Sequence, residues 1–159
     1  MRDQIMIKMV LDAWHSKINE ANAILDKLTD EQLQNEVAPH RNRGIYLLGH
    51  LVATHDGILP LLGFGDRFYP QLDEIFIDNP DRSKTMITPA SELRSYWKNI
   101  NSALAGHFNL LQSDEWFQKH NAVSEDDFAK QPHRNKLNVM ITRTTHLSYH
   151  TGQLIFLKK

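Results

Sequence analysis

Cysteine does not occur anywhere in the 159 residues. Its absence excludes disulfides, thiolate metal ligands, iron–sulfur clusters and a cysteine nucleophile, so any thiol chemistry must use an external thiol. Excess charge of either sign is lacking too. Eighteen basic against nineteen acidic residues, with a sequence pI near 6.7, leave no electrostatic footprint for nucleic acid or an anionic membrane. A small-molecule substrate is therefore the expected partner. No apolar run approaches the roughly 20 residues that a membrane span needs. The N-terminal run from Ile5 to Leu11 is broken by Lys8 and followed by Asp12, which makes a poor signal peptide despite Ala21-Asn22-Ala23. A cytoplasmic protein is expected. Internal repeats, low-complexity tracts and convincing strand alternation are missing as well.

What is present reads as one all-α domain covering 1–159, because 41% hydrophobic content over this length suffices for one core. Four long helical segments emerge. The first, over about 2–27, carries Ile7, Val10, Leu11, Trp14, Ile18, Ala21 and Leu25 at helical spacing. Thr29 and Gln32 have the spacing of a capping box for a short piece over 30–33. A second long helix is expected from about 42 or 44 to 62, apolar on several faces, ending at Gly63-Phe64-Gly65. A long connection over 63–87 follows, with Pro70 and Pro80 and room for one helical turn. Thr88 as N-cap and Pro89 at the first position predict a third helix running to about Ser113. After an irregular stretch over 114–134, Asn135 caps a last helix that runs to the C-terminus. Four such helices with two long connections suggest a four-helix bundle, a fold that builds metal sites from facing helices.

Chemistry concentrates in that last helix, where His146 and His150 stand four residues apart among apolar positions. Residues i and i+4 share a helix face, so the two imidazoles can converge on one ion. Spacing alone is weak evidence: nine histidines in 159 residues yield about 0.5 such pairs by chance. Buried imidazoles nevertheless need partners. A third ligand is available in the second helix, from His50 or His55. These lie about 140° apart around a helix, so only one of them can face the ion, and periodicity does not choose between them. His15, His40, His107, His120 and His133 have no partner at chelating spacing and read as structural or exposed. Trp14, Tyr96 and Trp97 read as core rather than a substrate cage.

Several metal and catalytic motifs are excluded. Glu-x-x-His, needed for a di-iron bundle, does not occur, and Leu147 occupies the place of a zincin's general-base glutamate. No Gly-x-Ser-x-Gly elbow exists, and Gly63-Phe64-Gly65 is a helix terminator rather than a phosphate loop. Asp78-Asn79-Pro80-Asp81 lacks the glycine and terminal glutamate of a calcium loop and reads as a solvated turn.

The pattern Asn42-x-x-Ile45-x-x-Leu48-Gly49-His50-Leu51, paired with His146-x-x-x-His150-x-Gly152-Gln153, resembles the DinB/YfiT-like metalloenzyme superfamily over nearly the whole chain. By that resemblance His50, His146 and His150 are the metal ligands. The four helices run up-down-down-up, and many relatives are homodimers. His55 is then a wall of the site or a core histidine. Gly152 is expected to permit close helix approach, and Gln153 to hydrogen-bond a ligand or neighbouring backbone from outside the coordination sphere, with a surface glutamine as the competing reading.

Three neutral imidazoles leave a divalent ion's charge uncompensated and a position open. Zinc or nickel is the expected ion. No side chain presents itself as the catalytic group; metal-bound water or a metal-bound thiolate is expected to carry the chemistry. The resemblance includes bacillithiol- and mycothiol-dependent S-transferases and a mycothiol-dependent isomerase, which favours low-molecular-weight thiol transfer. Metal-dependent hydrolysis, and a metal- or ligand-binding stress protein without turnover, are the alternatives.

Overall fold

Burial of a few apolar faces accounts for the four long helices. In a computed structural model, which describes residues 1–84 and 87–158, the chain is all-helical and no strand forms among the described residues. Helix α1 (Arg2–Leu25) buries Ile7, Trp14, Ile18, Ala21 and Leu25 and keeps ion pairs such as Lys8–Asp12 on its outer side. The short α2 (Asp30–Leu33) has the expected capping box, with Thr29 Oγ1 accepting from Gln32 N at 3.1 Å and Gln32 Oε1 from Thr29 N at 2.9 Å.

The second long segment is divided. It forms α3 (Gly44–Asp56) and α4 (Ile58–Leu62), with the break at Gly57. Pro60 supplies the reason: it has no N–H for the carbonyl of Asp56, and its ring crowds that carbonyl. The stretch Gly44–Leu62 is, by length and composition, apolar enough to cross a membrane, contrary to the sequence expectation. However, 72% of its apolar window is buried inside the protein, so neighbouring helices already cover it.

Helix α5 (Asp73–Phe76), preceded by a 3-10 turn over Pro70–Leu72, lies in the long connection; Thr85 and Met86 of that connection, like Lys159, fall outside the described residues. Helix α6 (Ala90–Leu110) starts one residue later than expected. Pro89 itself is the N-cap, in an extended conformation (φ −57°, ψ 147°), and Thr88 makes no cap. The helix stops at Leu110 rather than Ser113 because Leu111 turns extended (ψ 131°). The stretch expected to be irregular contains α7 (Glu125–Lys130), announced by Ser124, whose side chain accepts from Asp127 N, and by three acidic residues in its first turn. Asn135 caps α8 (Lys136–Leu154) as expected, and a 3-10 turn over Ile155–Leu157 follows.

Contacts at the helix ends fix their directions. Arg94, in the first turns of α6, donates to the carbonyls of Leu25 and Leu28 at the exit of α1 (2.7 and 2.6 Å). Gly44, at the start of α3, meets Leu33 and Leu157. Helices α1 and α8 therefore run in one direction, and α3 and α6 in the other. The connection after α4 folds back along α3. Buried Asp56 accepts from Phe68 N (2.8 Å), Tyr69 N (3.0 Å) and Arg67 Nε (3.0 Å), pinning one end. Arg43 pairs with Asp81 and Tyr46 donates to the carbonyl of Asn79 (2.7 Å), pinning the other. The segment around Asp81 is thus no solvated turn: the Asp81 side chain is 5% exposed. Between these two anchors Phe76 is laid against the middle of α3.

Candidate metal centre

Antiparallel packing of α3 against α8 brings His50 opposite His146 and His150. His50 Nε2 and His150 Nε2 each lie 3.1 Å from His146 Nε2, and the three candidate ligand atoms all fall within 4.8 Å of one another. Three imidazole nitrogens on a tetrahedral zinc ion, at about 2.05 Å each, stand about 3.3 Å apart. The two edges at 3.1 Å match that scale.

Hydrogen bonds behind the rings orient two of them. His50 Nδ1 donates to the carbonyl of Phe76 at 2.8 Å, and His150 Nδ1 donates to Gln153 Oε1 at 2.7 Å. Each bond holds the proton on Nδ1 and turns the Nε2 lone pair inward. In that arrangement His146 Nε2–H can satisfy only one of its two neighbours fully, whereas a cation satisfies all three lone pairs. The residues fit a divalent ion. Burial, the neighbouring His150 and His50, and the Arg143 charge push His146 down to about 4, so it is neutral and ligand-competent at neutral pH. Burial lowers His150 as well, partly offset by the bond to Gln153. No Asp or Glu occurs on α8.

Gly49 explains how Phe76 reaches His50. A Cβ on residue 49 would lie 2.3 to 2.5 Å from three atoms of the buried Phe76 ring, so only glycine lets α5 close onto α3. Gly49→Ala is expected to lower stability by about 1–3 kcal/mol, and to weaken zinc affinity because it displaces the carbonyl that orients His50. Urea unfolding and zinc titration of the same variant check both; unchanged zinc affinity would refute the link. Gly152, by contrast, has no close-approach role: it is exposed, and a Cβ there meets nothing within 4 Å.

His55 stands apart from the cluster. It is fully buried between Trp14 and Trp97, with ring centroids 4.8 Å away on each side, and its Nδ1 donates to Asn101 Oδ1 at 2.8 Å. Asn101 Nδ2 donates to the carbonyl of Trp97, which fixes the amide and thereby the tautomer, leaving His55 Nε2 bare. Tyr96 stacks on Tyr69 at 4.0 Å, so none of these aromatics cages a ligand at the histidines. His15, His40 and His133 are exposed, His107 stacks on Phe64, and His120 lies elsewhere with a bare Nδ1. The Phe76 carbonyl escaped sequence analysis, since nothing local ties residue 76 to residue 50. Arg143 escaped it too, although its position one turn before His146 was visible.

No family model matches the chain, and no curated protein does. Among solved structures, a crystal structure of a conserved protein from Enterococcus faecalis aligns with a TM-score of 0.66, covering 94% of this chain and 93% of that one at 13% identity. The likeness is one of fold. It carries no assignment of chemistry to the histidines.

Proposed function

We propose that this chain is a DinB/YfiT-like four-helix-bundle protein in which His50, His146 and His150 hold one divalent ion, zinc or nickel, for transfer of a low-molecular-weight thiol. The convergence of three Nε2 atoms, two of them aimed by Nδ1–H donation to Phe76 and Gln153, carries this reading. When bound, such an ion supplies a positive charge and an open position for an anionic ligand or water. The protein's own part is to orient the rings, shelter them partly from solvent and keep His146 neutral. Since the chain has no cysteine, the thiol comes from outside. We further propose a homodimer, which rests on the family resemblance alone, and a cytoplasmic location.

The test uses cobalt in place of zinc. Adding bacillithiol, mycothiol or glutathione is expected to produce a thiolate charge-transfer band for one of them, lost in His150→Ala; no protein sulfur other than methionine can imitate it. Unchanged spectra with all three thiols, together with turnover of an ester or amide, would replace transfer by hydrolysis. Unchanged spectra without any turnover would leave a non-catalytic metal-binding protein.

A further inference from the structure

Arg143 is a charged side chain that α8 carries near His146 and His150 and that has no hydrogen-bond partner among the described residues. Its Nε is buried and has no hydrogen-bond partner, and no carboxylate or carbonyl among the described residues accepts from its guanidinium. On α8 it precedes His146 by three residues and His150 by seven, which sets it about 60° and about 20° from them around the axis, on the same inward face. The Arg143 charge acts on both His146 and His55, as a guanidinium on the inward face of α8 would. A half-buried guanidinium without a counter-charge is costly. Among the described residues none pairs with it: α8 has no acidic residue, and the buried Asp56 is taken up by Arg67 and two backbone amides. His55 Nε2 offers one acceptor, whereas a guanidinium has five donors.

We propose that Arg143 is an anion-binding residue of the His50/His146/His150 site, and that the ligand this site takes carries a carboxylate. A carboxylate matches the planar fork of a guanidinium, and its charge compensates a centre built from neutral imidazoles and one arginine. The assignment of Arg143 to a metal site rests on the reading above; its need for an anion does not.

Calorimetric titration of the tag-free, zinc-loaded full chain with succinate tests this, with dimethyl succinate as the uncharged control. Wild type is expected to bind succinate and to bind the diester at least tenfold more weakly. Arg143→Gln is expected to lower succinate affinity by roughly ten- to a hundredfold, and Arg143→Lys by less, with one zinc per chain retained in each. Thermal unfolding of both variants separates a binding loss from a folding loss. Equal succinate affinity in wild type and Arg143→Gln, or no binding to wild type, overturns the proposal. If wild type takes up no zinc, the metal reading falls; titration of the metal-free chain then decides Arg143 alone, with loss of succinate binding in Arg143→Gln supporting it and no change or no binding overturning it.

Discussion

His50→Ala, His146→Ala and His150→Ala each abolish stoichiometric zinc or nickel binding, while His55→Ala retains one ion per chain. The expected loss in each of the first three exceeds a hundredfold, because removing a ligand costs more than removing a partner behind one, which itself costs about 10- to 100-fold. Gln153→Ala belongs to that milder class: His150 keeps its place on α8 but loses the acceptor that holds its Nδ1 proton. His55→Ala acts on folding instead, since it opens a cavity between Trp14 and Trp97 and removes the donor to Asn101. Elemental analysis of protein purified without an affinity tag, followed by titration of dialysed protein with zinc and nickel, measures all five variants. A protein that stays metal-free in excess zinc and nickel removes the site altogether. Retention by His50→Ala with loss in His55→Ala reverses the ligand assignment.

The pairing of His146 with His150 was legible because it is local: one helix period joins the two rings whatever surrounds them. Gln153 stood out only as a near neighbour of His150 in sequence; its hydrogen bond to that ring is a finding of the structure. The choice between His50 and His55 was not legible, since each occupies an apolar stripe of the same helix and the deciding contacts come from other elements. His50 faces α8, and His55 faces α1 and α6 through Trp14, Trp97 and Asn101. Capping at Thr29 and Asn135 followed from residue type and spacing. The break at Gly57 also had a local cause, Pro60, which the apolar pattern around it masked. The course of the connection after α4 was beyond reach. It depends on Asp56 and Arg43, at opposite ends of α3, gripping backbone and side chains 11 to 38 residues away. Those two anchors determine where the Phe76 carbonyl meets His50, so the part of the site least visible in sequence is held by long-range polar contacts.

Below pH 6.5 the metal-free protein loses stability steeply, and His55 accounts for a separable share of the loss. Burial pushes His55 down to about 3, with the charges of His146, Arg143 and His50 acting in the same sense and the bond to Asn101 opposing them. Protonation would place a charge between two indole rings and add an Nε2–H with no acceptor. The unfolded chain has no such restriction and takes up the proton near 6.5. Because the folded value is depressed, the unfolded state binds more protons between pH 6.5 and about 3; the stability is intact above that window and falls as pH drops through it. At about 1.4 kcal/mol per pH unit, the loss from this one group reaches about 3 kcal/mol near pH 4.5. That is a large part of the 5–15 kcal/mol that a domain typically has. His146, held down to about 4, contributes in the same direction but less, because it is partly open to solvent. Urea unfolding in the presence of a chelator, at pH 7.0, 5.5 and 4.5, measures the slope for wild type and for His55→Gln, which keeps a polar group of similar reach without a titrating proton. The variant starts less stable at pH 7.0, yet its fall between pH 7.0 and 4.5 is smaller than that of wild type by about 2–3 kcal/mol. Identical slopes would mean that His55 takes up its proton in the folded state at an ordinary pH, and the dry, neutral imidazole between Trp14 and Trp97 would have to be abandoned.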